Sequence, residues 1–233
     1  MVLPPKHDVS RLEGFSDAVF AFAVTLLVVS LEVPRTFNEL RDAMRGFFAF
    51  AICFALLFQI WWRHHTYFRR YGLEDPTTKA LTGVLLFVVL FYVYPLKFLW
   101  TLAVTTRLGG NELVVLSDGR VEPMILNEQI PLLFEIYGLG AAAVFSVFVA
   151  LYAHAYRRRR ELALTPLELL DTRLSVMSNV GLASVGLASV AIAWLGGQRF
   201  VGWAGWIYFS ISVIEWRVSR YGRRERKKLP TRS

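Results

Sequence analysis

The charged residues of this chain fall in short clusters, and the stretches between the clusters are apolar and about twenty residues long. That pattern leaves few folds open. A soluble domain of 233 residues would bury a substantial core, but it would also need polar residues spread over its surface. Here 55% of residues are hydrophobic and only 19% are charged, below the ~25% of ordinary soluble domains. An apolar run of about twenty residues is the length at which a helix crosses ~30 Å of hydrocarbon. The runs are continuous rather than alternating, and in lipid only helices or closed barrels satisfy their own backbone. The expected class is therefore an all-α integral membrane protein.

The spacing predicts six transmembrane helices in a single domain over 1–233. The first covers about 13–33 and stops at Pro34; the second, 43–62, ends in Trp61-Trp62. The third, 78–100, follows Asp75-Pro76 and contains Pro95. The fourth covers 130–156, the fifth 173–195 and the sixth, the shortest, 199–217. A basic tail occupies about 218–233. The exit of the first run, Val29-Ser-Leu-Glu-Val-Pro34, lacks a small-residue cleavage pattern, so it is read as a retained span rather than a signal peptide.

Six spans place both termini on one side. Counting along the loops gives that side nineteen of the lysines and arginines and the other side seven. The excess predicts cytoplasmic termini and accounts for the net charge of +8 without a nucleic-acid partner. The tail Arg223-Arg-Glu-Arg-Lys-Lys228 reads first as an orienting signal and second as a grip on anionic lipid. The connection over 101–129 carries Glu112, Asp118, Glu122 and Glu128 with turn signals at Gly109-Gly110 and Asp118-Gly119, as a solvated loop would.

No hydrolase, zinc-protease, nucleotide-loop or dinucleotide fingerprint is present, so the chain does not read as an enzyme. Cys53 is the single cysteine, lies mid-span, and is expected to pack. His64 and His65 are adjacent and point different ways on a helix, which argues against a metal pair; no cofactor is expected. Gly181, Ser184, Gly186, Ala188 and Ser189 in the fifth span are small enough to let helices approach closely.

The first span opens on Arg11-Leu-Glu-Gly-Phe-Ser-Asp17, ionisable groups at a membrane edge, where burial is costly without a partner. Beyond it, Phe22, Leu26 and Val29 fall at i, i+4 and i+7, one helical stripe, with Ala18 a turn below and Thr25 bordering it. Spacing alone reads this as a packed or lipid-facing stripe, with Thr25 bonding back to its own helix. The second span returns to the side where the first began, so Trp61, Trp62, Arg63, His64 and His65 reach the depth of Arg11 to Asp17. Carboxylate, hydroxyl, indole and imidazole there form a plausible hydrogen-bonded cluster. Arg11 and Asp17 are six positions apart, on separate faces, so each is expected to reach another helix.

Arg11-Leu-Glu-Gly-Phe15-Ser16-Asp17 is an RxxxFSD pattern at the start of a first span, and it resembles the transmembrane protein 175 family, the endolysosomal potassium channels and their prokaryotic relatives. The six-span length, the aromatic and histidine end of the second span and the cytoplasmic termini agree along the whole chain. One six-span unit resembles a prokaryotic member, which implies the plasma membrane. The resemblance implies a homotetramer in lipid, with four first spans lining a pore permeable to K+ and no cofactor. It implies an apolar constriction at Phe22, Leu26 and Val29, with Thr25 contributing to cation selectivity. It further implies a supporting network of Arg11, Phe15, Ser16 and Asp17 with Trp61 or Trp62 and His64 or His65. Phe22 departs from the aliphatic residue more usual there, which leaves the narrowest point open between Phe22 and Leu26. The rival reading is a small secondary transporter or membrane scaffold. A transporter would be expected to show mid-span ionisable groups or broken helices, and Pro95 with Lys97 lies too near a span end to serve.

Overall fold

A computed structural model describes residues 10–29, 35–107, 113–115 and 118–228. Among the described residues there are six α-helices: α1 (Arg11–Val29), α2 (Phe37–Tyr71), α3 (Pro76–Arg107), α4 (Ile130–Arg157), α5 (Pro166–Trp206) and α6 (Ser210–Arg226). Between α3 and α4 lies a small antiparallel hairpin, β1 (Leu113–Val115) against β2 (Val121–Pro123), with Val114 opposite Glu122. Its turn uses Asp118-Gly119: Gly119 has φ +83, and Asp118 Oδ1 accepts from the Arg120 N–H at 3.0 Å. Residues 30–33 of the expected first span, Gly109, Gly110 and Glu112 of the expected loop, and 229–233 of the tail lie outside the described residues.

Four helical segments are long and apolar enough to cross a membrane: Gly46–Tyr71, Pro76–Arg107, Asn127–Arg157 and Pro166–Gly197. The expected first and sixth spans are not among these four. The described part of α1 is 19 residues long and carries Arg11, Glu13 and Asp17 in its first two turns. Glu215 and Arg217 sit in the first half of α6.

The helices outrun the apolar stretches. The second was expected over 43–62, yet α2 has 35 residues, about 52 Å of rise, and continues nine residues past Trp62. Hydropathy marks the part of a helix that lipid can hold; the helix itself continues wherever water or a neighbour satisfies its side chains. Pro95 sits inside α3 without ending it. The expected break between 195 and 199 falls at Gly197, whose φ of +49 and ψ of −146 suit a residue without a Cβ. From there the chain doubles back. It runs through the end of α5, a 3₁₀ turn (Ile207–Phe209) and α6, so the basic tail is helical to Arg226.

The chain forms two compact units, one containing Arg69–Leu85 and the segment from Glu128 onward, the other the segment up to Phe68 with Leu86–Asn127. In the first, α4, α5 and α6 pack through small residues. A Cβ built on Gly138 would stand 2.6 Å from Val190 Cγ2 and 2.7 Å from the Gly186 carbonyl oxygen; one on Gly186 would stand 2.7 Å from the Gly138 carbonyl oxygen. Backbone therefore touches backbone where α4 crosses α5. Gly181 faces Ile214 and Gly222 faces Leu174, which sets α6 antiparallel on α5, and Ser189 Oγ donates to the Ala204 carbonyl at 2.9 Å. Of the five small residues noted in the fifth span, Gly181, Gly186 and Ser189 take interhelical places and Ala188 is half-buried. Ser184 is exposed and donates to its own Val180 carbonyl at 2.8 Å.

In the same unit the short connection between α2 and α3 is tied down at Asp75. Its carboxylate accepts from the Thr77 N–H at 3.2 Å and the Thr78 hydroxyl at 2.8 Å, capping α3. It also meets His154 Nε2 at 3.0 Å and Arg158 Nη1 at 3.2 Å, at the end of α4. At the other end of the connection, Tyr71 Oη lies 2.7 Å from Thr172 Oγ1 of α5. Burial pushes the Asp75 pKa up, but the hydrogen bonds from Thr78 and His154 outweigh it and hold the group at about 2.

Two outcomes follow for stability. Gly186→Leu forces α4 and α5 apart and is expected to lower stability by about 1–3 kcal/mol, read as a drop in melting temperature in detergent. Asp75 ionises more readily in the folded chain than unfolded, so its contribution is present above about pH 4 and is lost as pH falls toward 2. The melting-temperature gap between the wild type and Asp75→Asn should be at its full width above about pH 5 and narrow as pH falls from 4 toward 2.

Candidate functional site

The site begins with a cap. Ser10 Oγ accepts from the Glu13 N–H at 3.1 Å, and α1 starts there. With about 100° between successive residues, a 19-residue helix has two distinguishable faces. Glu13, Ser16, Phe20, Ala23 and Leu27 line one and are buried. Ser16 turns its hydroxyl inward and donates to the Leu12 carbonyl at 2.8 Å, so no polar group is stranded. Phe15, Ala18, Phe22 and Thr25 line the opposite face and are exposed, Phe15 at 62% and Phe22 at 55%.

The buried face meets α2, whose own inward row is Ala49, Cys53, Leu57, His64 and Phe68. Two polar contacts set the register. Trp61 Nε1 donates to Asp17 Oδ1 at 2.7 Å. One turn earlier on α1, Glu13 Oε1 lies 3.3 Å from His65 Nδ1, one turn later on α2, close enough for an ion pair though not aligned as a hydrogen bond. A step up α1 is a step back along α2, as antiparallel helices require. Trp61 stacks on His65 with ring centres 5.3 Å apart, so the two partners support each other.

The residues singled out from sequence separate on this frame. Asp17, Trp61 and His65 come together with Glu13. Ser16 is buried beside them but bonds within its own helix. His64 is fully buried, neither ring nitrogen has a hydrogen bond among the described residues, and its ring packs between Phe20 at 5.8 Å and Phe68 at 4.7 Å. It therefore serves as a packing aromatic. Trp62 is 57% exposed and Phe15 and Arg11 also face outward; Arg11 has no partner among the described residues of this chain. Thr25 Oγ1 donates to the Ala21 carbonyl at 3.0 Å, the back-bond its position suggests. Leu26 is half-buried beside the open face, and the side chain of Val29 lies outside the described residues.

Glu13 was missed from sequence. Two signals could have found it: Ser10-Arg-Leu-Glu13 has the S-x-x-E capping spacing, and Glu13 with Asp17 makes an i, i+4 carboxylate pair. Such a pair matches Trp61 and His65, also i, i+4, on a returning helix.

Trp61→Phe keeps the ring and removes the donor, leaving Asp17 half-buried without its indole. It is expected to cost about 1–3 kcal/mol, seen as a lower melting temperature in detergent. Trp62→Phe, at an exposed position, should change stability by no more than about 0.5 kcal/mol.

Against known proteins, the family described as "Endosomal/lysosomal potassium channel TMEM175" matches residues 11–92, the segment that holds α1, α2 and the polar contacts between them. A protein of Marivirga tractuosa named potassium channel is 41% identical over 203 residues, 86% of this chain and 82% of that one. A potassium channel of Chamaesiphon minutus is 32% identical over 100 residues, 40% of this chain and 49% of the relative. Among solved structures, a variant of the potassium channel MtTMEM175, crystallised with a nanobody fusion, superposes with a TM-score of 0.79 at 38% identity over 97% of each chain. A lysosomal potassium-selective channel TMEM175 homologue from Chamaesiphon minutus has a TM-score of 0.50 at 23% identity, covering 86% of this chain and 96% of that one, a likeness of fold alone. With 41% identity held over most of both sequences, this chain belongs to the TMEM175 family.

Proposed function

We propose that this chain is a potassium-permeable, modestly selective cation channel, assembled as a homotetramer with both termini cytoplasmic, whose pore is lined by the four copies of α1. Relatives over most of its length are named potassium channels. The observation that carries the pore assignment is the two-sided character of α1. One face is packed onto α2, and the opposite face presents Phe15, Ala18, Phe22 and Thr25 to whatever lies outside the protomer. An apolar helix held by polar contacts at its base, with a bulky apolar row left open, suits a pore wall built from several copies.

In this reading Phe22, Leu26 and Val29 form a narrow, poorly wetted neck. A cation crosses when the neck widens enough to hold it partly hydrated. Selectivity comes from the cost of entering that neck. Thr25 suits a selectivity role, because its hydroxyl hydrogen is engaged by the Ala21 carbonyl and its lone pairs are free for a cation. Asp17, Trp61, Glu13 and His65 anchor the base, so motion is carried by the upper turns. The compartment that fits is a prokaryotic plasma membrane.

The test is flux from liposomes holding a potassium gradient, repeated with sodium. Potassium should leave faster than sodium, without saturating. Leu26→Ala and Phe22→Ala should each raise potassium flux several-fold by opening the neck, while Trp62→Phe leaves it unchanged. Equal flux in the wild type and both neck variants would refute the neck, and saturable, substrate-coupled flux would favour a transporter.

A further inference from the structure

Where α4 ends and α5 begins, two arginines converge on one tyrosine. Arg159 places its guanidinium carbon 4.8 Å from the centre of the Tyr156 ring, and Arg173 places its own 5.5 Å from the same centre. Arg173 donates to Tyr156 Oη at 2.8 Å through Nη2, and Arg159 donates through Nη1 to the Tyr156 carbonyl at 3.1 Å. The turn that presents them is internally bonded: the Leu162 N–H reaches the Arg158 carbonyl at 3.0 Å and the Leu164 N–H the Arg159 carbonyl at 3.1 Å. Thr165 and Glu168 then close a capping box at the start of α5.

The charges around this corner are unevenly matched. Asp75 takes His154 and Arg158, Glu161 takes Arg158, and Asp171 takes Arg70 and Arg226. Neither Arg159 nor Arg173 has a carboxylate within ion-pair distance among the described residues. Each is oriented by an aromatic face, a phenol oxygen or a backbone carbonyl, none of which cancels its charge. Two guanidinium groups held against one tyrosine and left without a carboxylate make a local excess of positive charge. A phosphate has acceptor oxygens enough for both. Tyr156 Oη already accepts from Arg173, so its own hydrogen is available as a third donor. The position suits it as well: one helix long and apolar enough to cross a membrane ends at Arg157 and the next begins at Pro166, and each has more residues than the ~20 that span the hydrocarbon, so a corner joining them fits the level of headgroup phosphates.

We propose that Tyr156, Arg159 and Arg173 form a binding site for the phosphate of an anionic lipid headgroup. The site is distinct from the basic tail, and its occupant ties the α4–α5 corner to the membrane surface.

The experiment is thermal melting of the purified full chain in a neutral detergent, titrated in parallel with dioctanoyl phosphatidylglycerol, dioctanoyl phosphatidylcholine and inorganic phosphate. The wild type should be stabilised saturably by phosphatidylglycerol and far less by phosphatidylcholine. In R159Q/R173Q the apparent affinity for phosphatidylglycerol should fall roughly tenfold to thirtyfold, as expected for two arginines near an anionic surface. Y156F, which keeps the ring and loses the donor, should weaken it several-fold. R223Q/R224Q in the tail should respond like the wild type. R173Q alone gives the same reading at smaller amplitude if the double variant does not fold. An unaltered response in the Arg159 and Arg173 variants would overturn the site, as would an equal loss in R223Q/R224Q, which would mean diffuse attraction. Stabilisation by inorganic phosphate with none added by the lipid would overturn the lipid assignment.

Discussion

A carboxylate set between two apolar helices has to be satisfied where it stands, and Asp17 is satisfied by the indole N–H of Trp61 at 2.7 Å. Much about the first helix follows from that bond. It fixes which turn of α1 lies against which turn of α2, and the Glu13–His65 approach one turn away allows a single antiparallel register. With the register set, Phe20, Ala23 and Leu27 are carried inward, and Phe15, Ala18, Phe22 and Thr25 are carried outward. Neither set is chosen by hydrophobicity, since both are mostly apolar. In lipid, apolar burial alone would not prefer one over the other, because acyl chains are as apolar as leucine.

The unit containing α4, α5 and α6 solves the same problem differently. It relies chiefly on close backbone contact, with Glu215 of α6 accepting from the buried Ser178 hydroxyl of α5. Gly138 and Gly186 bring two helices together where a single added methyl would collide with a carbonyl, and Gly181 and Gly222 admit Ile214 and Leu174. Dispersion between closely fitted surfaces then does what hydrophobic burial cannot do in a bilayer. At the ends of these helices Asp75 gathers His154 and Arg158, Asp171 gathers Arg70 and Arg226, and the α4–α5 corner retains two arginines that no carboxylate among the described residues claims.

Periodicity made the helices legible, because apolar length is what lipid selects. It placed the break before the last helix within two residues of Gly197, and Asp118-Gly119 at a hairpin turn. The ends were not legible. Hydropathy falls at Trp62, whereas the helical hydrogen bonds of α2 continue to Tyr71, since arginine and histidine interrupt an apolar run without interrupting a helix. Within the motif, sequence could not choose between Trp61 and Trp62 or between His64 and His65. Adjacent residues differ by about 100° around a helix, and only the rotation of α2 against α1 decides which pair turns inward. The outcome separates the two histidines as well. His64, in line with Ala49, Cys53 and Leu57, becomes packing, and His65 joins the polar row.

The same rotation bears on the neck. Leu26 stands half-buried at the border of the open face of α1, whereas Phe22 projects from the middle of that face with more than half of its surface exposed. In a pore formed by copies of this helix, the ring would meet its counterparts first. A phenylalanine ring swings about χ1 and χ2, so an aromatic constriction widens by side-chain rotation while the backbone stays where Asp17 and Trp61 hold it. A constriction of half-buried leucines has less room to swing and opens by moving the helix against its neighbour. A firmly anchored base is easier to reconcile with the first of these. In the channel we propose, the Phe22 departure from the aliphatic pattern and the Asp17–Trp61 anchor would be two parts of one arrangement, the base held in place and the opening left to the Phe22 ring and the upper turns that carry it.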